Sequence, residues 1–178
     1  MTKIPSSEME ACILAGGLST RMGLEKARLK FCGRSLLDHA RALADGAGLA
    51  CRVIRRDVVP RCGPLGGIIT ALRKTTAPRV LFLSCDMPLV TVQLVQRLMD
   101  SSHANVFAET EGRAGFPFCL AAEALTTAEA QHAGERFSLR AFASKLDAGR
   151  VALQGKEALQ VFNINTPDDL SAALKREA

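Results

Sequence analysis

Short runs of apolar residues alternate along the chain with segments whose apolar residues recur at helical spacing. The clearest run is RVLFLSCD, residues 79–86, whose nearly continuous apolar character is typical of a strand covered on both faces of a parallel sheet. Further strands are predicted at 11–14, 51–56, 105–109, 116–120, 150–153 and 160–164.

The segments between these runs predict helices. In SLLDHARALADGAG, Leu36, Ala40 and Leu43 lie at helical spacing, and Ser35 is placed to cap the helix. Helices are also predicted at 63–74, 92–100, 138–146, directly after the strand at 116–120, and from Thr166 onward. The alternation predicts an α/β fold of three layers, in which helices cover a mostly parallel, doubly wound sheet. We expect a single domain over residues 1–178.

Charge and aromatic content limit the class of ligand. The chain has 23 basic and 18 acidic residues, a net charge of +5, but its cations are scattered rather than clustered. It has no Trp and no Tyr, so it offers little for stacking on the bases of a long nucleic acid. We therefore expect a small polyanionic ligand and no nucleic-acid partner.

The cysteines and the N-terminus indicate a cellular setting. None of the six cysteines forms a CxxC pair, which argues against a zinc ribbon, and several have apolar neighbours, as expected of reduced, buried thiols. The sequence shows neither the apolar core of a signal peptide nor an apolar run long enough to span a membrane. A cytoplasmic protein without a membrane partner is expected.

A glycine-rich stretch, ILAGGLSTRMGLEK, follows the start of the first predicted strand. Its glycines allow backbone amides to approach a phosphate chain closely, while its hydroxyl groups and cations can bind phosphate oxygens. These residues are Gly16, Gly17, Gly23, Ser19, Thr20, Arg21 and Lys26. The spacing matches neither the Walker loop nor the GxGxxG fingerprint. We interpret the stretch as a cradle for a nucleoside triphosphate; the alternative is a tight turn with solvated cations.

A second motif, LFLSCDMPLV, places Asp86 at the end of a buried strand. Ligands of open α/β sheets bind at the carboxyl ends of the strands, where the glycine-rich stretch also emerges. Asp86 is therefore predicted to bind a magnesium ion that bridges phosphate oxygens, with a turn or helix cap as the alternative. His39, His103 and His132 are interpreted as structural or solvated.

With these motifs in view, the chain resembles the molybdenum cofactor guanylyltransferase family and, more broadly, nucleotidyltransferases with a Rossmann-like domain. Four segments between about Cys12 and Leu170 occur in the family's order: LAGGLSTRMGLEK, GPLGGI, CDMP and FNINTPDDL. The resemblance implies transfer of GMP from GTP to the terminal phosphate of molybdenum-molybdopterin, with release of pyrophosphate and Mg²⁺ as the cofactor. It also implies partners that deliver molybdopterin or mature molybdoenzymes.

The resemblance implies roles for individual residues. Catalysis would depend on Arg21, Lys26 and Asp86, with Asp86 as the magnesium ligand. The nucleotide site would contain Leu14, Ala15, Gly16, Gly17, Lys26, Asp57 and Asp86. Asn163 and Asn165 would lie on the pterin side, although asparagines before a helix also serve as ordinary turn caps. Because the attacking phosphate is already ionised, no strong general base is required, and positioning and charge neutralisation would supply the catalysis.

Two departures from the family pattern affect substrate recognition. The region before Gly63 is shorter than usual, since the family places an additional strand and loop there, and Phe116 precedes Pro117 where the family often has histidine. The glycines of LAGG and GPLGG resemble the guanine-specific version. The alternatives are a CTP-dependent molybdopterin cytidylyltransferase, a sugar-phosphate nucleotidyltransferase, and a nucleotide-binding relative without catalysis.

Overall fold

A mixed sheet forms the centre of the computed structural model, which describes residues 8–15, 29–59 and 62–177. The strands are β1 (Met9–Leu14), β2 (Lys30–Phe31), β3 (Arg34–Ser35), β4 (Cys51–Ile54), β5 (Arg79–Ser84), β6 (Val106–Thr110), β7 (Arg113–Ala121) and β8 (Gly149–Ala152). Within the described residues, six of them form one sheet in the order β4-β1-β5-β7-β6-β8, while β2 and β3 pair separately.

Strand β7 runs against the direction of the other strands in this sheet. β1 pairs in parallel with β4 and β5, and β6 pairs in parallel with β8, whereas β7 is antiparallel to both β5 and β6. The reason is the connection between β6 and β7, because a two-residue hairpin turn can join only antiparallel strands. The prediction of a mostly parallel sheet is confirmed.

Helices cover both faces of the sheet, as the three-layer prediction requires. They are α1 (Leu36–Gly46), α2 (Pro64–Leu72), α3 (Val92–Met99), α4 (Ala124–Ala133), α5 (Leu139–Lys145) and α6 (Pro167–Glu177). Side chains of β5 alternate between the faces: Leu81 and Leu83 pack in the core beneath α1 and α3, while Val80 and Phe82 pack beneath α2, α4 and α5. Across the described ranges, none of the helices has the length and apolarity needed to cross a bilayer.

Side-chain caps begin several of the helices. The Ser35 hydroxyl accepts the Asp38 N–H at 3.1 Å, and the Thr166 hydroxyl accepts the Asp169 N–H at 3.1 Å. Each bond satisfies an amide that has no partner within its own helix. The predicted starts of α1 and α6 are therefore confirmed.

The strand predicted at 160–164 is wrong. Residues Gly155–Val161 form a 3-10 helix, and Ile164 follows in an irregular segment. This part of the chain runs from the end of β8 to the end of β5, where the Ile164 N–H donates to the Asp86 carbonyl at 2.8 Å. Because it crosses the sheet edge rather than following a strand, its apolar residues pack against the core without joining the ladder.

Arg79, the first residue of β5, is 2% exposed and has no carboxylate partner among the described residues. Its guanidinium donates to four backbone carbonyls, those of Leu98, Met99, His103 and Ala104, at 2.9–3.1 Å. Two of these carbonyls lie in the last turn of α3, where the helix dipole favours a cation. Arg79 thus joins the start of the central strand to the end of α3.

We predict that Arg79→Met lowers the free energy of unfolding by about 3 kcal/mol, because several buried carbonyls lose their donors. Arg73→Met is the control, since the Arg73–Glu129 pair is half-exposed and its loss should cost less than about 1 kcal/mol. Urea unfolding of both variants measures the difference. Equal stabilities would contradict the structural role of Arg79.

Candidate functional site

Three parallel strands end at the same edge of the sheet. In the strand register, Leu14 at the end of β1 lies opposite Ile54 of β4 on one side and opposite Ser84 of β5 on the other. The next residue, Ala15, donates its N–H to the Ile54 carbonyl at 2.9 Å. The segments that follow β1, β4 and β5 therefore leave the sheet side by side, as expected of a ligand site in an open α/β sheet.

From Gly16 onward, the glycine-rich stretch falls outside the described residues. Gly16, Gly17, Arg21 and Lys26 all belong to that part of the chain, as do Ser19, Thr20 and Gly23. Their predicted roles in phosphate binding stay predictions.

Two glycines in the first turns of α2 allow close contacts at this edge. A Cβ on Gly66 would lie 2.6 Å from the Val59 carbonyl oxygen and 2.9 Å from a carboxylate oxygen of Asp57. A Cβ on Gly67 would lie 2.9 Å from a methyl carbon of Leu14. The GPLGG motif thus contacts both the end of β1 and the loop after β4, which places two of the sequence motifs against each other.

Asp57 lies half-buried in the loop after β4, facing α2. Burial raises the pKa of its carboxyl above the ordinary value. The neighbouring Val58 N–H donates to the Thr70 hydroxyl at 2.9 Å, and that hydroxyl donates to the Gly66 carbonyl at 2.7 Å. These bonds hold the loop against α2, so Asp57 lies at the sheet edge where the sequence predicted a nucleotide contact.

Asp86 lies two residues beyond the end of β5 at the same edge. The Ser84 hydroxyl donates a short hydrogen bond to the Asp86 carboxylate, and the backbone carbonyl of Asp86 accepts the Ile164 N–H. Ser84 was not among the residues predicted from the sequence, although its position two residues before the aspartate could have indicated the contact. A hydroxyl two residues earlier in the chain thus orients the Asp86 carboxylate.

The two asparagines flank the residue that binds the Asp86 backbone. Ile164 is buried, while Asn163 and Asn165 on either side of it are exposed. The structure therefore brings both asparagines beside Asp86, although they lie almost eighty residues further along the chain. The backbone N–H of Asn165 also donates to the Asp169 carboxylate at 2.9 Å, so this residue takes part in the cap of α6 as well.

A cleft of about 720 Å³ begins at Asn163 and extends away from Asp86. One wall is the β6–β7 hairpin, residues 109–112, and the other is formed by residues 152–155 and by the segment around the 3-10 helix. The hairpin residues were missed in the sequence analysis, although the Glu-Gly pair at 111–112 between two alternating runs is a turn signal.

The carboxylate at the sheet edge suits a magnesium ion that arrives with a nucleotide. Among the described residues, no group of three or more His, Cys, Asp or Glu side chains is placed to hold a metal ion. Magnesium commonly binds through one or two carboxylates together with substrate phosphates and water, rather than in a cage made by the protein alone. Asp86 fits that mode.

Two of the buried thiols in the sheet are held in the protonated form, which is a poor nucleophile. Burial raises the pKa of Cys12 in β1 to about 12, and burial likewise raises the pKa of Cys119 in β7 to about 12, so both remain protonated near neutral pH. His39 makes a 2.8 Å hydrogen bond to the Phe31 carbonyl through its ring and packs edge-on against the Phe31 ring, which agrees with its predicted structural role.

Comparisons with known proteins agree with this geometry. The chain matches the family described as MobA-like NTP transferase domain over residues 11–55 and 41–149. It is 35% identical to the molybdenum cofactor guanylyltransferase of Xanthomonas euvesicatoria, over 89% of this chain and 90% of that protein.

Solved structures resemble the chain at the level of the fold. The molybdopterin-guanine dinucleotide biosynthesis protein A of Archaeoglobus fulgidus superimposes with a TM-score of 0.72 at 21% identity, covering 94% of this chain and 98% of that one. The 4-diphosphocytidyl-2C-methyl-D-erythritol synthase of Anaerococcus prevotii superimposes with a TM-score of 0.74 at 11% identity, covering 95% and 97%. Because both identities are low, these likenesses support the Rossmann-like fold alone.

We predict that Gly66→Ala destabilises the protein more than Gly67→Ala. The new methyl group at position 66 meets a backbone carbonyl, so the loop must move, at a cost of about 2 kcal/mol. Alanine favours the helix by about 1 kcal/mol at both positions, but only at position 67 can the contacting side chain, that of Leu14, rotate away, so only there does this gain offset the contact. Urea unfolding of the two variants tests this order, and a greater loss in Gly67→Ala would reverse it.

Proposed function

Because the chain belongs to the MobA-like NTP transferase family, we propose that it transfers GMP from GTP to the terminal phosphate of molybdenum-molybdopterin. The products are pyrophosphate and molybdopterin guanine dinucleotide. The observation that best supports this proposal is the position of Asp86 at the end of β5. The GPLGG motif and Asp57 meet at the same edge of the sheet toward β4, and the segment FNINTP is bonded to the Asp86 backbone through Ile164.

The reaction requires two phosphates to meet in line. An oxygen of the acceptor phosphate attacks the α-phosphorus of GTP and forms a new P–O bond. The bond from that phosphorus to the oxygen bridging the β-phosphate breaks, and pyrophosphate leaves with the electron pair. Since the attacking oxygen is already ionised, the site has to position two anions and balance their charge rather than remove a proton.

Each side of the site would have a distinct task in this reaction. The nucleotide would be held by the backbone of Leu14, Ala15, Gly16 and Gly17, with Asp57 as a further contact. Arg21 and Lys26 would balance the charge of the triphosphate. Asn163 and Asn165 would bind the acceptor phosphate through their amides.

Asp86 would hold magnesium in contact with the phosphates of GTP. When bound, the ion supplies Lewis-acid stabilisation of the charge on the phosphate oxygens. The Ser84 hydroxyl donates to the Asp86 carboxylate and would keep it oriented toward the site. The proteins that deliver molybdopterin or receive the product, and the cytoplasmic location, stay predictions.

The proposed substrates can be tested by measuring pyrophosphate release from GTP, CTP, ATP and UTP, each with magnesium and with or without molybdenum-loaded molybdopterin. We expect release with GTP only, and only in the presence of the acceptor. Release with CTP would establish the cytidylyltransferase alternative. Binding of GTP without release would identify a nucleotide-binding relative or a different acceptor phosphate.

We predict that Asp86→Asn lowers kcat by at least about 100-fold, because the metal loses its charged ligand. The matched control is Asp147→Asn, since Asp147 precedes β8 and lies at the opposite edge of the sheet. Steady-state pyrophosphate release measures both variants, with thermal unfolding as the check on folding. Unchanged turnover in Asp86→Asn would refute the metal assignment.

A further inference from the structure

The cleft beside Asn163 lies on the side of Asp86 away from the GPLGG motif. In the strand order, β4 and β1 lie on one side of β5, while β7, β6 and β8 lie on the other. This second side is formed by Glu109 of β6, by Glu111 in the turn that follows, and by the residues after β8. A molecule in the cleft would therefore approach Asp86 from the direction opposite to the predicted nucleotide.

The two ends of the cleft differ in chemistry. The asparagine end offers an amide near Asp86, whereas the hairpin end has the carboxylates of Glu109 and Glu111. The lining also includes apolar side chains, among them Leu159, which is 41% exposed, and Phe162. Charge repulsion between these carboxylates and a phosphate favours a ligand placed with its phosphate toward Asn163 and a planar ring toward the hairpin.

The two glutamates differ in their existing partners. Glu109 forms an ion pair with Arg150, with the side-chain nitrogen and oxygen 3.4 Å apart, so its charge is balanced within the protein. No such pair joins Glu111 to another residue in the part of the chain that the structure describes. Glu111 is also exposed, which leaves its carboxylate available to a ligand.

The turn conformation at Glu111 does not account for a glutamate at this position. Glu111 and Gly112 form the hairpin turn with φ angles of +51° and +70°. Turns with two positive φ angles prefer asparagine, aspartate or glycine in the first position, and glutamate there is less stable. The residue therefore occupies a position for which the turn itself would select another side chain.

We infer that Glu111 is a specificity-determining residue that binds the ring end of the acceptor. Its carboxylate would accept two adjacent N–H groups from the aminopyrimidinone edge of the pterin, in a bidentate, charge-assisted arrangement. The phosphate end of the same molecule would then reach Asn163 and Asp86. This inference rests on the proposed function and adds to it the orientation of the acceptor.

Guanine presents the same aminopyrimidinone edge, so the test must separate the two substrates. We would measure steady-state kinetics of the full chain with molybdenum-loaded molybdopterin varied at saturating GTP, and with GTP varied at saturating acceptor. In Glu111→Gln we expect the KM for the acceptor to rise at least tenfold, because an amide donor replaces one acceptor oxygen. The KM for GTP and kcat should stay within twofold of the wild type.

Two further variants separate binding from folding. Glu135→Gln is the matched control, because Glu135 is also exposed with a positive φ of +53° but lies after α4, outside the cleft; both of its KM values should be unchanged. Glu111→Asn should raise the midpoint of thermal unfolding, since asparagine suits the turn, and yet raise the KM for the acceptor. A purely structural role for Glu111 would not produce these opposite changes.

The outcomes distinguish the inference from the proposed function. Normal turnover of the wild type with an unchanged acceptor KM in Glu111→Gln would overturn the inference alone. A higher KM for GTP instead would mean that guanine occupies the cleft, which also overturns it. Absence of turnover by the wild type with GTP and the acceptor would refute the proposed function and the inference together.

Discussion

Parallel pairing of β1 with both β4 and β5 is the constraint on which the site depends. It brings Leu14, Ile54 and Ser84 into register, so three chain segments that are far apart in sequence leave the sheet at one edge. Helices on both faces bury the strands. The GPLGG motif then contacts the end of β1 because its glycines have no side chains to hold the two apart.

The proposed chemistry divides this edge into two halves around Asp86. The half toward β4 contains the contacts predicted for the nucleotide, and the half toward β8 contains the cleft proposed for the acceptor. The segment after β8 returns to the end of β5, where the Ile164 N–H donates to the Asp86 carbonyl. That bond links the two halves, since it places the asparagines next to Asp86, the residue proposed to bind magnesium.

The antiparallel strand β7 has a consequence for the cleft. Because β7 returns directly from β6, their hairpin turn lies at the carboxyl edge of the parallel strands, where a crossover helix would otherwise leave. The turn thereby places Glu109 and Glu111 beside the site. Arg79 lies at the opposite edge of the sheet, where it joins the start of β5 to the end of α3.

The sequence by itself determined the class of fold, most of the elements and the motifs, because hydrophobic periodicity, caps and glycine spacing are local properties that single segments express. Asp86 was predicted from its position directly after a buried strand, whereas Asp57 and the asparagines were predicted only from the resemblance to the family. Only the tertiary structure decided that 160–164 crosses the sheet edge instead of joining it, that β7 is antiparallel, and that Glu111 lines a cleft with Asn163. These features depend on which strands become neighbours, and contacts between segments far apart along the chain leave no periodic signal in either one.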